Sequence, residues 1–238
     1  MKILLLQTIL ANDSINQLVV EEKTLSIMQL ITSGGTGGTI IMSALGLLSI
    51  YAVYILFERY SAIKKASKED KSFFKSVKNF VEQKDISAAK TLCQNTDNPI
   101  ARMIEKGVDR IDKPMTDISA AIENQGKLEV YKMENNLANL ATIAGAAPMI
   151  GFLGTVIGMI VAFHEMASAG GNIDVEMLSK GIYTAMVTTV AGLVVGIIAY
   201  IAYNYLVTKV EKVIFQMEAR TTEFLDHLHQ TKLIFPKN

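Results

Sequence analysis

Three long stretches of the chain carry no charged side chain. Residues 24–57, 135–164 and 181–208 hold none of the 23 basic and 23 acidic residues. At 1.5 Å per residue each is long enough to cross a hydrocarbon layer of about 30 Å as a helix. The pattern predicts transmembrane helices at 39–58, 137–166 and 181–208, and so an all-α integral membrane protein. The Ile, Leu and Val of the first span lie all round its helix, as for a span facing lipid on most sides. It ends in Tyr54, Glu58, Arg59 and Tyr60, an interfacial anchor. Residues 1–38 form an external segment. Its start, Lys2 followed by Ile3, Leu4, Leu5 and Leu6, fits either a cleavable signal or a short helix on the outer surface. Leu25, Met28 and Ile31, three apart, suit an interfacial helix. The cluster Gly34, Gly35, Thr36, Gly37, Gly38 predicts a flexible turn into the bilayer; with no Gly-Lys-Ser/Thr after it, it is not a phosphate loop.

Between the first two spans, 59–136 reads as a small helical domain. Phe73, Val77, Phe80 and Val81 share one face, Asp85 is placed as a helix cap, and Asn98-Pro99 marks a break. From Asp117 onward Ile118, Ile122, Val130, Met133, Leu137, Leu140 and Ala144 recur at threes and fours, with Gly126 as the weak point. This register predicts one continuous helix from about 117 to about 166, standing well out of the membrane. The third span continues likewise through Val210, Ile214, Met217, Thr221, Phe224 and Leu228 into the tail 209–238. The two extensions are expected to pack as an antiparallel coiled pair. Segment 167–180, with Ala169, Gly170, Gly171 and Asn172, is a short turn that makes spans two and three antiparallel.

The small and polar residues inside the spans supply the candidate chemistry. Ala147, Gly151, Gly154 and Gly158 step by four, three and four, leaving one helix side without bulk, and Gly192 and Gly196 do the same in the third span. Pro148 cannot donate to the carbonyl of Ala144, which predicts a kink beside a wet cavity. Thr155 is the one hydroxyl between 144 and 163, and Thr184, Thr188 and Thr189 stand in the third span. Threonines in a span either satisfy their own i−4 carbonyl or form a polar seam between helices. Three of them opposite Thr155 favour the seam, read here as the lining of an ion path. Glu58 is either a proton carrier or a surface partner of Arg59. His164 and Glu165 are either an outer interfacial anchor or a proton entry group.

Charge placement adds topology. Arg59, Lys64, Lys65, Lys68, Lys71, Lys75 and Lys78 follow the first span. Only Lys180, against Glu165, Asp174 and Glu176, lies between the second and third. The Lys-rich side is therefore expected to be cytoplasmic, with the N-terminus outside and the C-terminus inside. Zero net charge gives no general argument for nucleic-acid binding. A single cysteine, Cys93, excludes an intrachain disulfide and a cysteine-cluster metal site, and is expected as a buried small apolar residue. With no nucleophile beside a base, no metal cluster and no phosphate cradle, the expectation is a non-enzyme without cofactors.

Three stretches carry a family resemblance. Asp85-Ile-Ser-Ala-Ala-Lys-Thr-Leu-Cys93 with Asn98-Pro-Ile-Ala-Arg102 and Gly107, then Ala147-Pro-Met-Ile-Gly-Phe-Leu-Gly-Thr155-Val-Ile-Gly158 leading to Phe163, then Gly181-Ile-Tyr-Thr-Ala-Met-Val-Thr-Thr189-Val-Ala-Gly192-Leu resemble the MotA/TolQ/ExbB family of proton-channel subunits, most of all its ExbB members. The resemblance implies a homopentamer in the bacterial inner membrane around a central pore. That pore would hold a single-span ExbD-like partner whose transmembrane aspartate carries the proton, and a TonB-like protein would take the work onward to outer-membrane nutrient uptake. Thr155 and Thr189 match the channel subunit's polar positions. Where some members carry a glutamate in the third span this chain has Thr184, so the only acid left in spans two and three is Glu165, at the end of the second. The resemblance leaves open a TolQ-like envelope subunit or a gliding or rotary stator, and a non-conducting scaffold is the alternative of a different class.

Overall fold

A computed structural model of the chain describes residues 35–67, 71–168 and 175–234. The described residues form helices with no strand: α1 Gly35–Ala66, α2 Lys71–Glu82, α3 Ile86–Asn95, α4 Pro99–Val108, α5 Met115–Glu134, α6 Leu137–Ser168 and α7 Val175–Ile234. The readings of residues 1–34 and of the turn at 169–172 lie outside the described residues.

Three rods, α1, α5 with α6, and α7, contain stretches long and apolar enough to cross a membrane. In the membrane-spanning layer α6 and α7 pack along each other, and α1 lies against both. One stripe of α1, including Ile41, Leu45, Ala52, Ile55 and Ile63, is buried, while Ile50 and Phe57 remain 70% and 68% exposed. An apolar surface of this extent is suited to hydrocarbon rather than water. The glycines expected in a turn are instead helical from Gly35 on. Packing explains this, since a Cβ on Gly37 would meet Ile157 Cγ2 at 3.2 Å and one on Gly38 would meet Thr184 Cγ2 at 3.5 Å. The missing side chain of Gly37 eases the approach of α1 to α6, whereas at Gly38 a Cβ would make an ordinary contact with α7.

Helices α2 to α5 and the distal half of α7 form the helical domain. Asp85 caps α3 by accepting from the backbone N–H of Ala88 at 2.9 Å, and Asn98 caps α4 by accepting from Ile100 N–H at 2.9 Å, with Pro99 in the first turn. Val77, Ile104, Ile118, Ile122, Phe224 and Leu228 are fully or almost fully buried in its core. Helix α4 packs against both long helices: a Cβ on Gly107 would stand 2.6 Å from Ile122 Cδ1 of α5 and 3.2 Å from Phe224 Cε1 of α7. The two extensions also touch each other directly, as expected of a pair, and α4 packs against both.

The continuous helix expected from 117 to 166 is broken at Asn135 and Asn136. Asn136 is left-handed, with φ 65°, a region asparagine tolerates better than most residues. Helix α1 braces the break from the side. Arg59, 9% exposed, donates from Nη1 to the Lys132 carbonyl at 3.0 Å, and Asn136 Nδ2 donates to Glu58 Oε2 at 3.4 Å. Glu58 and Arg59 also form an ion pair. The pairing reading of Glu58 thus holds, and the pair has a structural partner in the α5–α6 junction.

Cys93 is 1% exposed, and burial, followed by the nearby Glu105 and Asp109 carboxylates, pushes its thiol up to about 12 from 9.0. A raised thiol pKa favours the neutral native form, so its stability contribution is present below pH 9 and declines above it, as the unfolded thiol ionises first. In native protein at pH 8, a thiol reagent is expected to label Cys93 at least roughly 100-fold more slowly than in denatured protein. Labelling at equal rates would show that α3 opens freely.

Candidate functional site

The geometry of the α6–α7 contact follows from its small residues. A Cβ on Gly151 would stand 2.7 Å from the Thr188 carbonyl oxygen, and one on Gly192 would stand 2.6 Å from the Ala147 carbonyl oxygen and 2.8 Å from Gly151 Cα. Gly154 faces the Thr188 side chain, Gly158 faces Ala185, and Gly181 faces Ala162. The two backbones therefore run antiparallel in near contact over the whole paired length. Without a hydrophobic driving force between helices in lipid, such close packing and interhelical hydrogen bonds are what hold spans together.

Pro148 fits the same scheme. Helix α6 runs through it, and Gly196 lies opposite: a Cβ there would be 2.6 Å from Pro148 Cγ and 3.0 Å from the Ala144 carbonyl oxygen. The carbonyl that proline leaves without its helical donor thus faces the α7 backbone across a glycine.

The four threonines separate into two layers. Thr155 of α6 and Thr189 of α7 bring their hydroxyls to 3.0 Å, and both residues are only partly buried. Thr155 donates to the Phe152 carbonyl at 2.6 Å, and Thr189 is within 3.1 Å of the Gly151 carbonyl oxygen. Thr188 and Thr184 are 2% and 8% exposed. Thr188 donates to the Ala185 carbonyl at 2.7 Å and packs on Gly154, while Thr184 lies beside Gly38 of α1. Thr155 and Thr188 thus each reach a carbonyl of their own helix, Thr155 and Thr189 meet across the helices, and Thr188 and Thr189 both reach the Gly151 carbonyl of α6.

Around this pair the surface is apolar. Ala146, Pro148, Met149, Phe152, Leu153 and Val156 border an open apolar depression on α6. Spans two and three have no acid at residues 137–163 or 181–208. Among the described residues no group of three or more His, Cys, Asp and Glu side chains could hold a metal ion. His164 and Glu165 are exposed at the end of α6.

One buried acid was hidden by the sequence pattern. Glu129 is 2% exposed and accepts from Arg102 Nη2 at 2.7 Å, Gln125 Nε2 at 2.8 Å and Lys132 Nζ at 2.9 Å. The buried stripe of α5 is Ile118, Ile122, Gly126, Glu129 and Met133, so the glutamate occupies a core position that the apolar reading had given to Val130. Its signal was the charged residue at the correct helical spacing. Arg102 also reaches Asp97, and Asp97 reaches Lys65 at the end of α1. Replacing Arg102 with Met is expected to cost about 2 kcal/mol by weakening the compensation of a buried carboxylate. Asp97→Asn, at a mostly exposed pair, should cost less than about 0.5 kcal/mol. Thermal unfolding of the full chain in detergent checks the contrast, and equal costs would refute it.

Comparison with known proteins covers the same elements. The model of the MotA/TolQ/ExbB proton channel family matches residues 95–219, from the end of α3 through most of α7. The chain is similar to a putative biopolymer transport protein ExbB homologue of Methanothermobacter thermautotrophicus, 27% identical over 194 residues that cover 81% of this chain and 67% of the relative. It is also similar to the biopolymer transport protein ExbB of Aquifex aeolicus, 32% identical over 46% of this chain and 74% of the relative. The Tol-Pal system protein TolQ of Haemophilus influenzae is 34% identical over 43% of this chain and 44% of its own length. With three apolar rods, a closely packed α6–α7 pair and a family match over more than half its residues, the chain belongs to the MotA/TolQ/ExbB proton channel family.

Proposed function

We propose that this protein is an inner-membrane proton-channel subunit that couples the proton motive force to energised uptake across the outer membrane. It acts as a homopentamer around an ExbD-type single-span partner, and a TonB-like protein carries the work onward. The observation that carries this reading is the Thr155–Thr189 hydroxyl pair, partly exposed on an otherwise apolar wall without an acid of its own. A wall of this kind supplies hydrogen-bonding oxygens but no titratable group, so the carrier has to come from a partner's carboxylate. Thr155 and Thr189 form the lining surface, with Thr184 and Thr188 in the layer behind. Pro148 and glycines 151, 154, 158, 192 and 196 keep the wall thin and rigid. The available driving energy is about 2.3 kcal/mol per proton per 100 mV. The N-terminus is outside, and the helical domain and C-terminus are cytoplasmic.

The test is proton flux from the full complex in liposomes. Flux is expected with the wild-type partner and lost when the partner's transmembrane aspartate becomes asparagine; a complex that never conducts would support a scaffold instead. The similarity to a TolQ favours one second reading, an envelope-maintenance subunit. The partner recovered from native membranes, identified by its periplasmic domain, separates the two.

A further inference from the structure

Where α1 and α7 leave the apolar layer on the lysine-rich side, they enclose a cavity of about 300 Å³ lined by Tyr60, Lys64, Ser67, Tyr205, Lys209 and Lys212, with Ile63 and Leu206 at its floor. We propose that this cavity binds the headgroup phosphate of an anionic phospholipid, whose acyl chains run along the α1–α7 surface above it. Three observations on different elements converge on that occupant.

First, the described lining of the cavity is cationic. Among the described residues its lining has three ammonium groups and no acid, and none of the three lysines is in an ion pair. Two of them lie over aromatic faces: Lys64 Nζ is 5.9 Å from the Tyr60 ring centre and Lys209 Nζ 5.4 Å from that of Tyr205. Those contacts gather the positive charge while leaving the N–H donors available to an anion.

Second, the two tyrosines lie face to face, with ring centres 6.3 Å apart, and bridge the helices at the level where Glu58 and Arg59 end the first span. Aromatic rings with polar tips prefer the headgroup level of a bilayer. Third, the stripes that lead into the cavity are apolar and exposed. Phe57 precedes Tyr60 on α1, and Ile198 and Ile201 precede Tyr205 on α7, all at helical spacings of three or four. An apolar track that ends in a basic pocket at the interface matches a phospholipid along its length, whereas a free anion would use only the pocket. Basic pockets between spans are a recurrent way to recognise acidic headgroups.

The experiment is native mass spectrometry of the full-length protein in detergent micelles doped with phosphatidylglycerol or phosphatidylcholine. Phosphatidylglycerol adducts are expected to survive and phosphatidylcholine adducts to be lost. Lys209→Gln with Lys212→Gln should weaken phosphatidylglycerol retention on the order of 20-fold, about five-fold for each charge removed near the surface. Lys209→Arg with Lys212→Arg should keep most of it, and so should Lys75→Gln with Lys106→Gln at exposed positions elsewhere. Equal retention of both lipids, or an unchanged adduct in the double glutamine variant, would overturn the proposal. Displacement of the lipid by millimolar inorganic phosphate would also overturn it, making the cavity a site for a free anion.

Discussion

Exchanging Thr155 and Thr189 together for valine is expected to reduce proton flux through the assembled complex on the order of 100-fold while leaving assembly intact. Valine keeps the branched shape and removes only the hydroxyl, so the helix surface changes little. The Phe152 and Gly151 carbonyls that the hydroxyls reach lie within α6 and retain the helix as a source of donors. The loss of stability should stay near 1 kcal/mol per site. Under the proposed function, transport depends on the hydroxyls differently. A carboxylic acid that releases its proton against this wall becomes a carboxylate in a low-dielectric layer, where an unpaired charge costs several kcal/mol. Two hydroxyls stabilise it by about 1.5 kcal/mol each, and every 1.4 kcal/mol is ten-fold in rate. Serine at both positions should restore most of the flux. Valine at Thr188 should behave differently, because that hydroxyl is buried away from the accessible pair, between the Ala185 carbonyl of its own helix and the Gly151 carbonyl of α6. A Thr155→Val/Thr189→Val complex that copurifies with its partner and conducts as wild type would remove these residues from the path.

Much of this arrangement is readable from residue order. The charge-free stretches located the spans because hydrocarbon excludes charge so strongly that few other constraints compete. The small-residue steps in α6 and α7 also mark the helix faces that meet, since a missing Cβ is itself the contact. What sequence pattern did not reveal depended on side chains from distant elements. An unbroken apolar register through Asn135 and Asn136 looked like a single helix, and the break rests on Arg59 of α1, which reaches the Lys132 carbonyl 73 residues away. Gly35, Gly37 and Gly38 suggested a turn, yet they are helical where α1 meets Ile157 and Thr184. Glu129 in the core required Arg102 from another helix before a charge there made sense. The division of the threonines into an accessible pair and a buried pair also appeared only once α6 and α7 were set in register. Spacing placed Thr188 and Thr189 about 100° apart but did not say which one faced Thr155.

Glycine substitutions along α6 and α7 should show opposite signs, with Gly192→Leu having the largest structural effect. Even the first carbon of a side chain at 192 would lie 2.6 Å from the Ala147 carbonyl oxygen and 2.8 Å from Gly151 Cα, and both obstacles are backbone. Backbone cannot turn aside as a side-chain tip does, so the two helices must separate. Separation would forfeit the contacts at Gly151, Gly154 and Gly158 together. Overpacking a well-packed core costs about 1–3 kcal/mol, and a backbone obstacle belongs at or above the upper end. The expected result is a protein that fails to accumulate in membranes, or loses its α6–α7 pairing as read by a crosslink between cysteines placed on the two spans. Gly145→Ala is the counterpart on the same helix. Nothing lies within 4 Å of a Cβ there, and replacing an unpacked helical glycine by alanine should stabilise the subunit by about 1 kcal/mol. That gain should appear in a dissociated subunit in detergent. If it reverses in the assembled complex, the Gly145 face of α6 meets a neighbouring subunit or the partner helix, and a methyl group has located the assembly surface. If Gly192→Leu instead pairs and accumulates normally, near contact of the two backbones is not what holds these spans together.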